Sequence, residues 1–132
     1  MPISNLNQLI ECMDPVLHAG VYVFTSIENR ETLKGLKSIA SMEESEGLSV
    51  VLREEDAREL GLAVLFRAAW ITLTVHSDLL AVGLTAAFAD ALAKAGISCN
   101  VVAGAFHDHL FVPVEHAEKA MRILKRLQVS GS

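Results

Sequence analysis

The sequence is short of cysteine, of long apolar runs and of basic charge. Only Cys12 and Cys99 occur among 132 residues. Two thiols so far apart make no disulfide framework and read as free thiols in a reducing compartment. No run reaches about 18 uncharged apolar residues, so no membrane-spanning helix is expected. The opening stretch, MPISNLNQLIECMD, lacks a basic start and a long apolar core, which argues against a signal peptide. A cytoplasmic location is therefore expected. The formal net charge of −5 lacks the basic excess that nucleic-acid binding usually needs. No phosphate-binding GxxxxGKS or GxxxxGKT run occurs, no GxGxxG and no CxxC. No cofactor is expected. No low-complexity linker divides the chain.

What is present is apolar content, at 52% of residues. A chain of this length buries roughly two-thirds of its unfolded surface and folds without a staple. It suits one compact domain, or two small ones sharing a sheet. The most legible stretch runs from Trp70 to Pro113. Ile71, Leu73 and Val75 alternate with Thr72, Thr74 and His76, as side chains do along a strand. A helix is expected from Leu79 to about Ala95, capped by Ser77 or Asp78, which can accept first-turn amides. Leu80, Leu84, Ala87, Phe88, Ala91, Leu92 and Ala95 form its apolar stripe. Gly96 suits the left-handed position after it. Strands are expected over 97–103 and 107–112, with Gly104-Ala105 turning between them. An amphipathic helix over 115–127 follows. The order βαββα is a ferredoxin-like sandwich with one edge strand missing.

The first half reads αββαβ. Asn5 or Ser4 caps a helix with Leu6, Leu9, Ile10 and Met13 on its stripe, ended by Asp14-Pro15. Strands are expected from Val21 to about Ile27, over 48–52 and over 62–66, the last broken from the Trp70 strand by Arg67-Ala68-Ala69. Glu54 to Leu60 reads as a short helix stopped by Gly61, and 39–45 is ambiguous. The expected fold is thus α+β: two ferredoxin-like βαββαβ-type sandwiches with antiparallel sheets and helices on one face. The domains are 1–66 and 67–132, and their patterns are circularly shifted.

Several residues stand out as candidates. The loop His76, Ser77, Asp78, Ala81, Val82, Gly83 and Leu84 precedes or opens a helix, whose free amides and dipole suit a carboxylate. Gly83 lets a ligand approach the backbone. Asn100, beside Val101 in an apolar run, needs hydrogen-bond partners if buried. His107 and His109 share a strand face, with His76 as the available third ligand, but as edge or interface histidines they need no metal. His18 and His116 fall in surface segments. Glu43, Glu44 and Glu46 make a solvated loop, or bind a cation or the ammonium of a ligand. Ser77 lacks an oriented base, so no catalytic group is assigned.

The residues Val75-His76-Ser77-Asp78, Ala81-Val82-Gly83-Leu84 and Gly96-Ile97-Ser98-Cys99-Asn100-Val101-Val102 resemble an ACT domain. They look most like the ACT modules of aspartokinase regulatory regions. The whole chain is similar to small proteins made of two ACT modules, with Glu46-Gly47-Leu48-Ser49-Val50-Val51-Leu52 and Tyr22-Val23-Phe24 carrying the first-half match. The resemblance implies a regulatory, non-enzymatic protein that holds an amino acid or similar small molecule at an ACT–ACT interface, with Asn100 on the ligand. A homo-oligomer is expected, because open sheet edges tend to be paired. The alternatives are a dimerisation module without a ligand and, remotely, a metal-dependent enzyme using His76, His107 and His109.

Overall fold

The structure is a computed structural model and describes residues 2–130. Its elements are α1 (Leu6–Cys12), β1 (Pro15–Leu17), β2 (Tyr22–Ile27), a 3-10 turn (Arg30–Leu33), β3 (Ala40–Glu44) and β4 (Gly47–Arg53). Then come α2 (Glu54–Glu59), β5 (Phe66–Leu73), α3 (Leu84–Lys94), β6 (Asn100–Ala103), β7 (Asp108–Pro113), a second 3-10 turn (Val114–His116) and α4 (Ala117–Ser130). Contacts divide the chain into two units. One runs from Ala19 to Ala68. The other joins the chain up to His18 with everything from Ala69 onward, so β5 crosses the division.

In the unit formed by both ends of the chain, the sheet order is β6-β7-β5-β1. Pro15 pairs with Leu73 and Leu17 with Ile71, antiparallel. Proline is tolerated there because an edge strand needs fewer amide donors. The edge that βαββα lacks is therefore filled by the N-terminal segment. The core joins Leu9, Met13, Ile71, Leu73, Phe88, Leu92, Leu110 and Leu124, all fully buried. Each such side chain contributes about 1.5–3 kcal/mol of hydrophobic stabilisation. Asn5 Oδ1 accepts from Gln8 N at 3.1 Å and caps α1 as expected. Gly96 takes its left-handed place with φ 75°.

In the unit from Ala19 to Ala68 the order is β3-β4-β2, followed by the first residues of β5. A four-residue 3-10 turn stands where the other unit has its first long helix. A separate, smaller core holds Val23, Ile27, Leu33, Leu48, Val50, Leu52 and Ala57. Gly47 has φ 151°, and a Cβ there would lie 2.9 Å from the Ile27 carbonyl oxygen, so only glycine fits.

Residues 2–18 pack with the chain from Ala69 onward. Four expectations change. The strand read over 62–66 does not form, because residues 62–65 are irregular and β5 begins only at Phe66. The break at Arg67-Ala68-Ala69 does not exist: Ala68 pairs with Tyr22 and Arg67 with Val23 in one continuous β5. Ala40–Glu44 is a strand, paired to β4. Finally, α3 starts at Leu84 and not at Leu79. Asp78 Oδ1 accepts from Leu80 N at 2.9 Å, which closes a turn instead of a helix cap. Gly83 at φ 105° cannot continue a helix.

Candidate functional site

The segment between β5 and α3 is held by the N-terminus. Ile3 N donates to His76 O at 2.8 Å, and Asp78 N donates to Ile3 O at 3.0 Å. This pins His76 to Asp78 as a short parallel bridge beside Ile3. The turn at Asp78 then throws Leu79 and Leu80 outward, and Gly83 redirects the chain into α3. A Cβ on Gly83 would meet Leu6 Cδ2 at 3.0 Å. The 2.9 Å bond from Ala87 N to Gly83 O opens the helix ladder, and Gly83 brings no capping side chain. The amides of Leu84, Thr85 and Ala86 thus have no helical partner.

These turns line a partly open cavity of about 150 Å³. One wall is Ser77, Asp78, Leu79 and Ala81; the helix entry adds Gly83, Leu84 and Thr85. Ala103 and Asp108, paired across β6 and β7, close the other side. Asp108 is buried and accepts from Ser77 Oγ through Oδ2 at 3.3 Å.

Of the residues singled out by sequence, Ser77, Asp78, Ala81, Gly83 and Leu84 come together here. His76 and Val82 belong to the same segment but do not line the cavity; the His76 ring lies 5.3 Å from Phe106. Asn100 and Val101 do not reach it. Val101 packs toward the core, and Asn100, one residue away, faces the other side of β6 and is exposed. Asp108 and Thr85 are lining residues that sequence did not suggest. Asp108 was legible only as the opposite face of the His107/His109 pair.

The histidines do not converge on a metal. His107 Nδ1 donates to Val75 O at 3.2 Å, while His109 turns to the sheet face away from the helices. No group of three or more His, Cys, Asp or Glu among the described residues could hold a metal ion. His18, dismissed as a surface residue, stacks on Trp70 with ring centroids 3.6 Å apart. The indole N–H only donates, so His109 Nδ1 accepts from Trp70 Nε1 at 3.1 Å. The same nitrogen lies 2.9 Å from Thr72 Oγ1, which in turn lies 2.7 Å from His18 Nε2. Every donor is matched when His18 donates to Thr72 and Thr72 to His109. Burial, with His107 and His18 nearby, lowers the His109 pKa; burial lowers that of His18. Burial also pushes the Cys99 thiol up to about 11, so it is neutral at pH 7.

ACT-domain family models match residues 1–69 and residues 66–126. A crystal structure from Vibrio cholerae, of a protein of unknown function described as a possible transport protein, is 46% identical with a TM-score of 0.84. It covers 93% of this chain and 95% of that chain. The ligand-free regulatory subunit of aspartate kinase from Thermus thermophilus is 14% identical, with a TM-score of 0.69 over 86% of this chain and 95% of that one. Aspartokinase III of E. coli, in complex with aspartate and ADP, is 14% identical with a TM-score of 0.63, over 86% of this chain and 32% of that one. These two share the fold. No curated protein matches the chain. The chain belongs to the ACT-domain family and carries two ACT domains in tandem.

Proposed function

We propose that this protein is a non-catalytic regulator that binds a free amino acid in the cavity at the entry to α3. ACT domains are regulatory modules, and the tandem match supports a ligand-binding role. The observation that carries the choice of ligand is the cavity itself. It sets the unpaired amides of the first turn of α3 beside a space of about 150 Å³. Such amides, with the positive end of the helix dipole, suit a carboxylate.

In this reading a second copy covers the site. Leu80 is 87% exposed and Val82 83% exposed, Leu79 of the same segment is exposed, and so is Phe106, whose ring lies 5.3 Å from that of His76. Several large apolar side chains exposed on one segment mark a surface that gains by being covered. Asn100, exposed on β6, then serves the contact with the neighbour and is not part of this cavity. The free cysteines fit a reducing, cytoplasmic setting. Light scattering should give a dimer or larger; a 14.3 kDa species at every concentration would remove the covering copy.

Thermal melting against the twenty amino acids tests the ligand. A true ligand at 100 times its dissociation constant adds about 2.7 kcal/mol and raises the melting point. The second reading, a dimerisation module without a ligand, is favoured by the same exposed side chains and predicts no shift with any amino acid.

A further inference from the structure

Asp108 stands on β7 opposite Ala103, on the face of the sheet that carries Leu110 and the helices. It is only 9% exposed, yet it lines the cavity. Its Oδ2 is met by Ser77 Oγ at 3.3 Å, which is long for a hydroxyl donor. Its Oδ1 has no protein partner among the described residues, and none of their ion pairs involves Asp108. A largely buried carboxylate met by one long hydroxyl bond gains from a cation or further donors. This one opens onto the cavity.

We infer that Asp108 takes the ligand's ammonium group and restricts the cavity to small ligands that carry a cationic nitrogen beside a carboxylate. This deepens the amino-acid reading and rests on it. The lining has two polarities, with amides and a helix dipole at Leu84 and Thr85, and carboxylates at Asp108 and at Asp78, the latter already accepting from Leu80 N. A zwitterion fits between them in one orientation only. Size narrows the class further. An engineered cavity of about 150 Å³ holds benzene, about six heavy atoms, and alanine is of the same size. Glycine, alanine and serine are therefore the favoured ligands.

Calorimetric titration of the full chain with glycine, L-alanine and L-serine tests this, alongside propionate, which lacks the amine, and ethylamine, which lacks the carboxylate. The wild type should bind at least one of the three amino acids and bind propionate at least about tenfold more weakly. Asp108→Asn keeps the shape and removes the charge. Its affinity for the amino acid should fall about ten- to a hundredfold, with discrimination against propionate lost. Ser77→Ala removes the neighbouring hydroxyl and keeps the charge, so discrimination should survive. If Asp108→Asn does not fold, the analogue series on the wild type decides alone. Propionate bound as tightly as alanine, or an Asp108→Asn protein with wild-type affinity, overturns the role of Asp108 and leaves the amino-acid reading standing. Binding of none of the three, while another amino acid raises the melting point, overturns the inference alone. No shift with any of the twenty overturns both.

Discussion

The two units repeat one topology, and each has a recess where its first strand leaves the sheet. In the unit containing α3, the recess of about 150 Å³ sits at the start of an 11-residue helix. In the unit from Ala19 to Ala68, a wider recess of about 400 Å³ lies at the same point, between the 3-10 turn and the β3–β4 hairpin. Its lining holds Glu28, Glu43, Glu44 and Glu46 with Arg30. Asn29 Oδ1 already accepts from Glu31 N at 3.0 Å, and a four-residue turn has almost no dipole to offer. The four glutamates of that recess disfavour a carboxylate, whereas the helix entry of the other is the place proposed above for one. Position in the fold makes a recess, and the residues lining it decide what enters.

The comparison can be broken most severely by cutting away residues 1–18. These carry Leu9, Ile10 and Met13, almost wholly buried, and the edge strand β1. Three such side chains contribute roughly 5–9 kcal/mol, within the range of a domain's entire stability of about 5–15 kcal/mol. The α3 unit should lose its cooperative transition. Trp70, the one tryptophan, lies in that unit, so its fluorescence in a urea titration reports the loss. A wild-type transition would show that β1 and α1 are dispensable.

A smaller effect is expected from Gly83→Val. The residue sits at φ 105°, and a Cβ there meets Leu6 at 3.0 Å. Strain of this kind costs about 1–3 kcal/mol. The protein should remain folded, with a lower melting point and no measurable amino-acid binding. Wild-type affinity in the folded variant would remove the helix entry from the site.

Acid should also separate the units. All five histidines lie in the α3 unit and none between Ala19 and Ala68. Burial, with His107 and His18 nearby, holds the folded pKa of His109 below its ordinary value of about 6.5. The unfolded chain therefore takes up the proton first. The α3 unit should keep full stability above about pH 6.5 and lose it as pH falls toward the folded pKa. His109→Asn, whose amide oxygen can accept the same bonds, should flatten that slope in a pH series of Trp70 unfolding curves. An unchanged slope would assign the acid response elsewhere.

The smallest effect is expected at Asn100. Its side chain is exposed and gives up no protein bond, so Asn100→Ala should change stability by no more than about 0.5 kcal/mol. A melting-point drop worth 1 kcal/mol or more, by the usual scale for a lost buried hydrogen bond, would mean the amide is structural.

Much of this architecture is legible in the sequence where the signal is local. Asn5, Asp14-Pro15, Gly61 and Gly96 mark element ends through caps, proline sterics and left-handed glycine, and β2, β4 and α2 follow from pattern. What is illegible depends on distant partners. Pro15–Leu17 is three residues long and becomes a strand only because Ile71 to Leu73 offers it an edge. Ala68 and Ala69 look like a break, but both are buried in a strand paired to Tyr22 on one side of the division and Leu17 on the other end of β5. Leu79 and Leu80 extend the apparent stripe of α3, yet they are exposed because Asp78 closes a turn first. In the site, the glycine and the helix entry are visible as motifs. Asp108 is not, since its meaning comes from the register that sets it opposite Ala103.

The most direct measurement maps backbone amide shifts by NMR while the amino acid that raises the melting point is titrated into the full chain. The largest shifts are expected at Gly83, Leu84, Thr85 and Ala86, with Glu28, Asn29 and Arg30 unmoved. Shifts confined to the 28–30 segment, or absent from the start of α3, would contradict the claim that this helix entry holds the ligand.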